Sequence, residues 1–152
     1  MNDITCGLSA DPTLFARVSR LVASSISIDE VLQRILEEAV AVSGADRGFL
    51  AIADRDRGDL DVRYTAGSGW TEEKRLGRLK VSEETGRGIT SHVAATGVPY
   101  WSPDVLKDAY YTMAFEDVRS ELAVPLVDSF QRTRGVINLE SVDYGHFDET
   151  HA

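Results

Sequence analysis

Gly86-Arg87-Gly88-Ile89-Thr90-Ser91-His92-Val93-Ala94-Ala95-Thr96-Gly97-Val98-Pro99 is the stretch that decides the fold. Its paired glycines loosen the backbone ahead of a short helix over Ile89 to Thr96. Gly97 ends that helix, and Pro99 prevents its return. An irregular segment carrying Tyr110, Tyr111, Met113 and Phe115 follows. Beyond it lie two strands, Glu121 to Val127 and Gly135 to Ser141, joined by a polar turn at Gln131 to Arg134. A helix, an aromatic loop and two buried strands in this order can enclose a small molecule. They do not by themselves supply a reaction.

The rest of the chain extends this pattern. Asp11-Pro12 opens a first helix whose apolar face is Leu14, Phe15, Val18, Leu21 and Val22. Ser27-Ile28-Asp29-Glu30 has capping-box spacing and starts a second helix. Its stripe of Leu32, Ile35, Leu36, Ala39 and Val40 runs to a stop at Gly44. Phe49 to Ala53 reads as a central strand, apolar on both faces. Leu60, Val62, Tyr64 and Ala66 alternate with polar residues, so their strand has one wet face and pairs with the first as a hairpin. Thr71 to Leu76 reads as a helical turn, Leu79 to Val81 as a short strand and Tyr100-Trp101 as an edge strand. Pro125 marks its own strand as an edge or a bulged one. Phe147-Asp148-Glu149 reads as the start of a further helix, and the chain is expected to be cut from a longer protein there.

Composition narrows the function. The 152 residues, 43% hydrophobic and 27% charged, suit one soluble domain over residues 11–152 behind a flexible tail at 1–10. No apolar run is long enough to cross a bilayer, and no secretory signal opens the chain, so a cytoplasmic setting is expected. A net charge of -9 argues against nucleic acid as a partner. Cys6 is the single cysteine, which excludes an internal disulfide and a thiolate metal cluster.

Together these residues resemble a GAF domain, the small-molecule-sensing module of signalling proteins. The resemblance runs from about Val18 to Glu149. It is carried by the two leading helices ending at Ser43-Gly44-Ala45-Asp46, the Gly86 to Pro99 stretch, Pro103-Asp104-Val105, and the pair Ser120 to Leu126 and Gly135 to Leu139. It implies an α+β, profilin- and PAS-related fold: an antiparallel sheet of about six strands sandwiched between helices, with a pocket on one face. It further implies a sensory role without catalysis, with a signal relayed through terminal helices to an output domain, as in two-component signalling. A homodimer through the terminal helices is the implied assembly. The alternative is a dimerisation or spacer module whose pocket its own side chains fill.

The candidate ligand-binding residues follow. Trp101, Tyr110, Tyr111 and Phe115 cluster within fifteen residues, in a chain with five Phe, five Tyr and two Trp. They either wall a planar ligand or close the core. Gly88 and Arg87, with Ile89 behind them, either hold an anionic group at the helix start or form a plain turn. Asp104 and Glu140 either bond a ligand's polar edge or serve structure, Asp104 as a helix cap. His92 shares the stripe of Ile89 and is the one histidine of the domain body placed to ligate a haem, with a structural role the better reading. His92, His146 and His151 lack metal-ligand spacing, so no metal is expected.

The cofactor stays unknown. Bilin attachment in similar domains uses a pocket cysteine, and no cysteine follows Cys6. Similar free methionine sulfoxide reductases also need pocket cysteines. Cyclic-nucleotide binders often carry an Asn-Lys-x-Phe-x-Asp-Glu signature. Here only Phe147-Asp148-Glu149 matches it, which counts against a cyclic nucleotide. No nucleophile-base pair and no Walker-type loop is present, so an enzyme is not expected.

Overall fold

A computed structural model describes residues 16, 27–74 and 77–151. The chain divides into two units, Met1–Val31 and Leu32–Ala152. The tail at 1–10, Cys6 and, apart from Ala16, the helix expected from Asp11 lie outside the described residues. In the first unit the capping box is realised in one arm: Ser27 Oγ accepts from Glu30 N at 3.2 Å, and Val31 N donates to Ser27 O. That cap starts helix α1 (Ile28–Ser43), which stops at Gly44 as its sequence requires.

The second unit is built on a six-stranded antiparallel sheet. Its strands are β1 (Arg47–Asp54), β2 (Asp59–Gly67), β3 (Arg78–Lys80), β4 (Tyr100–Ser102), β5 (Ser120–Val127) and β6 (Thr133–Ser141). Their spatial order is β3-β2-β1-β6-β5-β4, so the first and last long strands meet at the centre. The expected hairpin forms, with Leu50 opposite Tyr64 and a bulge between Leu50 and Ala51. The expected turn at Thr71 is a single 3-10 turn, Glu72–Lys74.

Of the two alternatives that Pro125 raised, an edge strand or a bulged one, the second is met. Strand β5 lies between β4 and β6 and is not an edge strand. However, β4 pairs only with Glu121, Leu122 and Ala123, so Pro125 extends past the end of that ladder. On the β4 side its missing N–H therefore costs no ladder bond. The irregularity comes just after it, between Leu126 and Val127.

The sheet carries a core on each face. On one, Leu36 of α1 packs with Leu50 and Tyr64, and beside them Leu122, Leu139 and Phe147 pack with Trp101. Phe147 does not start a helix. It is a fully buried core residue, and the chain turns after it where Asp148 Oδ1 accepts from Thr150 N. On the opposite face, Phe49, Ala51, Leu60, Ala123 and Val136 meet Ile89 and Val93 of helix α2 (Ile89–Thr96). Gly97 ends α2 in a left-handed conformation, donating to Val93 O at 2.8 Å. Gly88, at φ 107 and ψ 144, opens α2 in a conformation that only glycine adopts readily. The fold class read from the sequence is therefore the one observed.

Candidate functional site

The face under α2 positions the site. Alternation along β5 and β6 sends Glu121 and Ala123, and Asn138 and Glu140, to the same side as Phe49 of β1. Glu121 and Glu140 are directly opposed across the β5–β6 ladder. Each is about 95% buried, with exposures of 5% and 4%. Between them and the entry to α2 lies a cavity of about 130 Å³. Phe49, Leu79 and Ile89 give it apolar walls, and Glu121 and Glu140 line it. The segment Thr112, Met113 and Ala114 closes the far side, while Gly88, Thr90 and Ser91 bring backbone and hydroxyls.

The electrostatics are unusual for a core. Fully buried Asn138 donates through Nδ2 to Glu121 Oε1 and to Thr90 Oγ1, the latter at 3.1 Å. Asn138 Oδ1 and Glu140 Oε2 are buried acceptors with no hydrogen-bond partner. Arg47, 3% exposed, is the cation at this end of the sheet. It donates from Nη1 and Nη2 to the Asp117 carboxylate at 2.8 and 2.9 Å, and from Nε to Ser68 O at 2.9 Å. Its guanidinium lies 4.2 Å from the centre of the Phe115 ring. Glu140 Oε2 is 3.9 Å from Arg47 Nη1. Burial pushes the Glu140 carboxyl up to about 7, with Arg47 pulling it back and Asp117 adding to the rise. Burial, and then the charge of Glu140, push Glu121 well above the carboxylate range.

Four of the expected residues meet at this cavity: Arg87, Gly88, Ile89 and Glu140. The Arg87 guanidinium turns to Glu84, at 3.2 Å. His92, further along α2, and Tyr110 of the loop stack on one another with ring centres 3.9 Å apart, against Tyr100. Tyr100 donates to Asp108 at 2.8 Å, and burial, with that carboxylate, pushes its phenol up to about 12. Tyr111 and Phe115 pack in the core around Val105 and Val118. Asp104 is the cap of a 3-10 turn, accepting from Leu106 N. Trp101 lies on the opposite face, because it is one strand position out of phase with Tyr100 and sits beside Leu122 and Leu139.

Sequence reasoning missed Glu121, Asn138 and Arg47. The signal was available for the first two: polar residues at alternate positions inside otherwise apolar runs, on the same face as apolar neighbours.

A second hollow of about 460 Å³ lies at the other end of α2, between Ala94, Thr96 and the β1–β2 turn. It is more open. Its acidic residues, Asp54 and Asp59, are already tied to Arg78.

A model of the GAF domain matches residues 25–152. The chain belongs to the GAF domain family. Among curated proteins, no sequence match reaches significance. Solved structures are similar in fold. A free methionine-R-sulfoxide reductase from Neisseria meningitidis, in complex with its substrate, has a TM-score of 0.71 at 22% identity, over 90% of this chain and 76% of its own. The GAF domain of a phosphoenolpyruvate-protein phosphotransferase from Coxiella burnetii has a TM-score of 0.69 at 19% identity, over 92% and 82%. The corresponding domain from Acinetobacter gives 0.68 at 16% identity, over 92% and 82%.

Proposed function

We propose that this chain is a non-catalytic sensory or regulatory module that binds a small molecule in the cavity between the α2 entry and the sheet. Occupancy is relayed through its terminal helices to an output domain, as in two-component signalling in the cytoplasm. The observation that carries this reading is the pair of buried carboxylates on the cavity floor, with Glu140 Oε2 left without a donor. Buried polar groups are normally satisfied, and a ligand is the ready source of the missing donor. The lining carries carboxylates, hydroxyls, apolar side chains and Arg87, without the cysteine that thiol chemistry needs.

Relay requires that the ligand favour one helix arrangement over another. A homodimer through the terminal helices supplies a surface on which to express that preference. Ile35 and Val42, seven residues apart on one side of α1, are 45% and 84% exposed and suit a helix partner.

Thermal shift against a panel of small metabolites tests the ligand reading, because binding to the folded state raises Tm by mass action. Ala114→Leu, which fills the cavity, is expected to abolish the shift while keeping the fold. A shift that survives Ala114→Leu would place the ligand elsewhere. Sedimentation tests the homodimer, and monomer alone at high concentration would remove it.

A further inference from the structure

The cavity's chemistry selects a class of ligand, a step that rests on reading the cavity as a ligand site. We infer that its ligand is a compact organic monocation, with an ammonium group held by Glu121 and Glu140 and a small apolar body against Phe49, Leu79 and Ile89. The missing partner is a donor: Glu140 Oε2 lacks one, and so does Asn138 Oδ1 on the same face of β6. An anion would face the negative charge that the two carboxyls share, and the lining cation Arg87 is already paired with Glu84. A neutral hydroxyl would satisfy one acceptor and leave the charge. A bare metal ion would have no use for the apolar walls, and no cluster of three or more metal-ligating side chains occurs among the described residues. Size points the same way. A dry cavity of about 150 Å³ holds benzene, so a body of roughly five or six heavy atoms fits here.

The surrounding charges leave room for such a cation. Arg47 of β1 is the only cation within ion-pair distance of either carboxylate among the described residues, and three of its five N–H donors are engaged by Asp117 and Ser68 O; Arg87, which also lines the cavity, is paired with Glu84. From the loop, Tyr111 and Asp117 face the pair, and Asp108 adds negative potential at Glu121. From α2, the hydroxyl of Thr90 reaches Asn138, while His92 turns to Tyr110. The empty site therefore keeps a proton on the pair, consistent with the upward displacement of both carboxyls. An ammonium replaces that proton. Binding releases it to solvent, so affinity rises with pH, by up to about tenfold per unit for one proton.

The test uses n-butylammonium, 1-butanol and butyrate as probes of nearly equal size, titrated into the protein at pH 8 and followed by amide NMR shifts at Gly88 to Ser91. Butylammonium is expected to bind at least about tenfold tighter than 1-butanol, with butyrate weaker still. Its affinity should fall between pH 8 and pH 6, where the amine stays protonated. Glu140→Gln should cost butylammonium about tenfold while leaving butanol unchanged, with the NMR spectrum reporting whether the variant is folded. Equal binding of amine and alcohol, or preference for butyrate, overturns the inference from the wild-type protein alone. If amines fail while another member of the metabolite panel perturbs the same amides, the ammonium assignment falls and the ligand-binding module stands. If nothing in the panel perturbs them, both fall.

Discussion

Asn138 is the residue on which the cavity floor turns. It is completely buried and its amide nitrogen serves Glu121 and Thr90 together. Replacing it with leucine keeps the branched skeleton and removes both donated bonds. Asn138→Leu is expected to cost about 1–3 kcal/mol in urea denaturation, the penalty for buried acceptors left without donors. Trp101 makes the opposite case. Trp101→Ala should destabilise by about 2 kcal/mol, because its ring packs beside Leu122 and Leu139. It should leave the affinity of any cavity ligand unchanged, since it lies across the sheet from the cavity, and weakened binding would contradict that placement. Aromatic content led the reading toward Trp101, Tyr110, Tyr111 and Phe115, yet rings are as useful for core as for recognition. The residues that define the cavity were legible through a different signal. Glu121 and Glu140 stand inside apolar strands, where a carboxylate is costly. What the sequence could not supply is the cross-strand register that brings them face to face.

The elements themselves were legible where local chemistry is strong. Ser27 caps α1, Gly97 ends α2, and the alternating β2 pairs with β1, all as their spacing requires. Pro125 was less legible, because whether a proline harms a strand depends on how long the neighbouring strand is. The central pair β1–β6 shows a tighter constraint. A Cβ on Gly48 would stand 2.6 Å from Asn138 O, and one on Gly135 would stand 2.6 Å from Ala51 O. In each case the obstacle is backbone of the facing strand, which cannot swing aside. Gly48→Ala and Gly135→Ala should each cost about 1–3 kcal/mol by denaturant midpoint at unchanged m-value. Wild-type stability in both would mean that the two strands have slack at their centre.

At the scale of the whole molecule, the buried carboxyls shape stability against pH. Burial pushes the Glu140 carboxyl from its ordinary value up to about 7 in the folded state. The folded state therefore binds the proton more tightly, and stability falls as pH rises through that interval, by up to about 1.4 kcal/mol per unit for one proton. Asp117 works in reverse. Its bond to Arg47 holds it below the ordinary value, so acid removes its contribution as pH drops below about 4. Tm should therefore peak near pH 5 and decline by pH 8. Glu140→Gln should flatten the decline, and a variant that keeps the full wild-type slope would exonerate this carboxyl.

The two margins of the sheet, β3 and β4, are only three residues long, and β3 presents Arg78 and Lys80. Borders so brief, the β3 one charged as well, offer a passing strand too few free amides to zip onto. Among the described residues, fibril growth by strand addition finds no long free edge to copy. Copies of the molecule that do meet are left to recognise one another by side chains, not by stitching backbone to backbone.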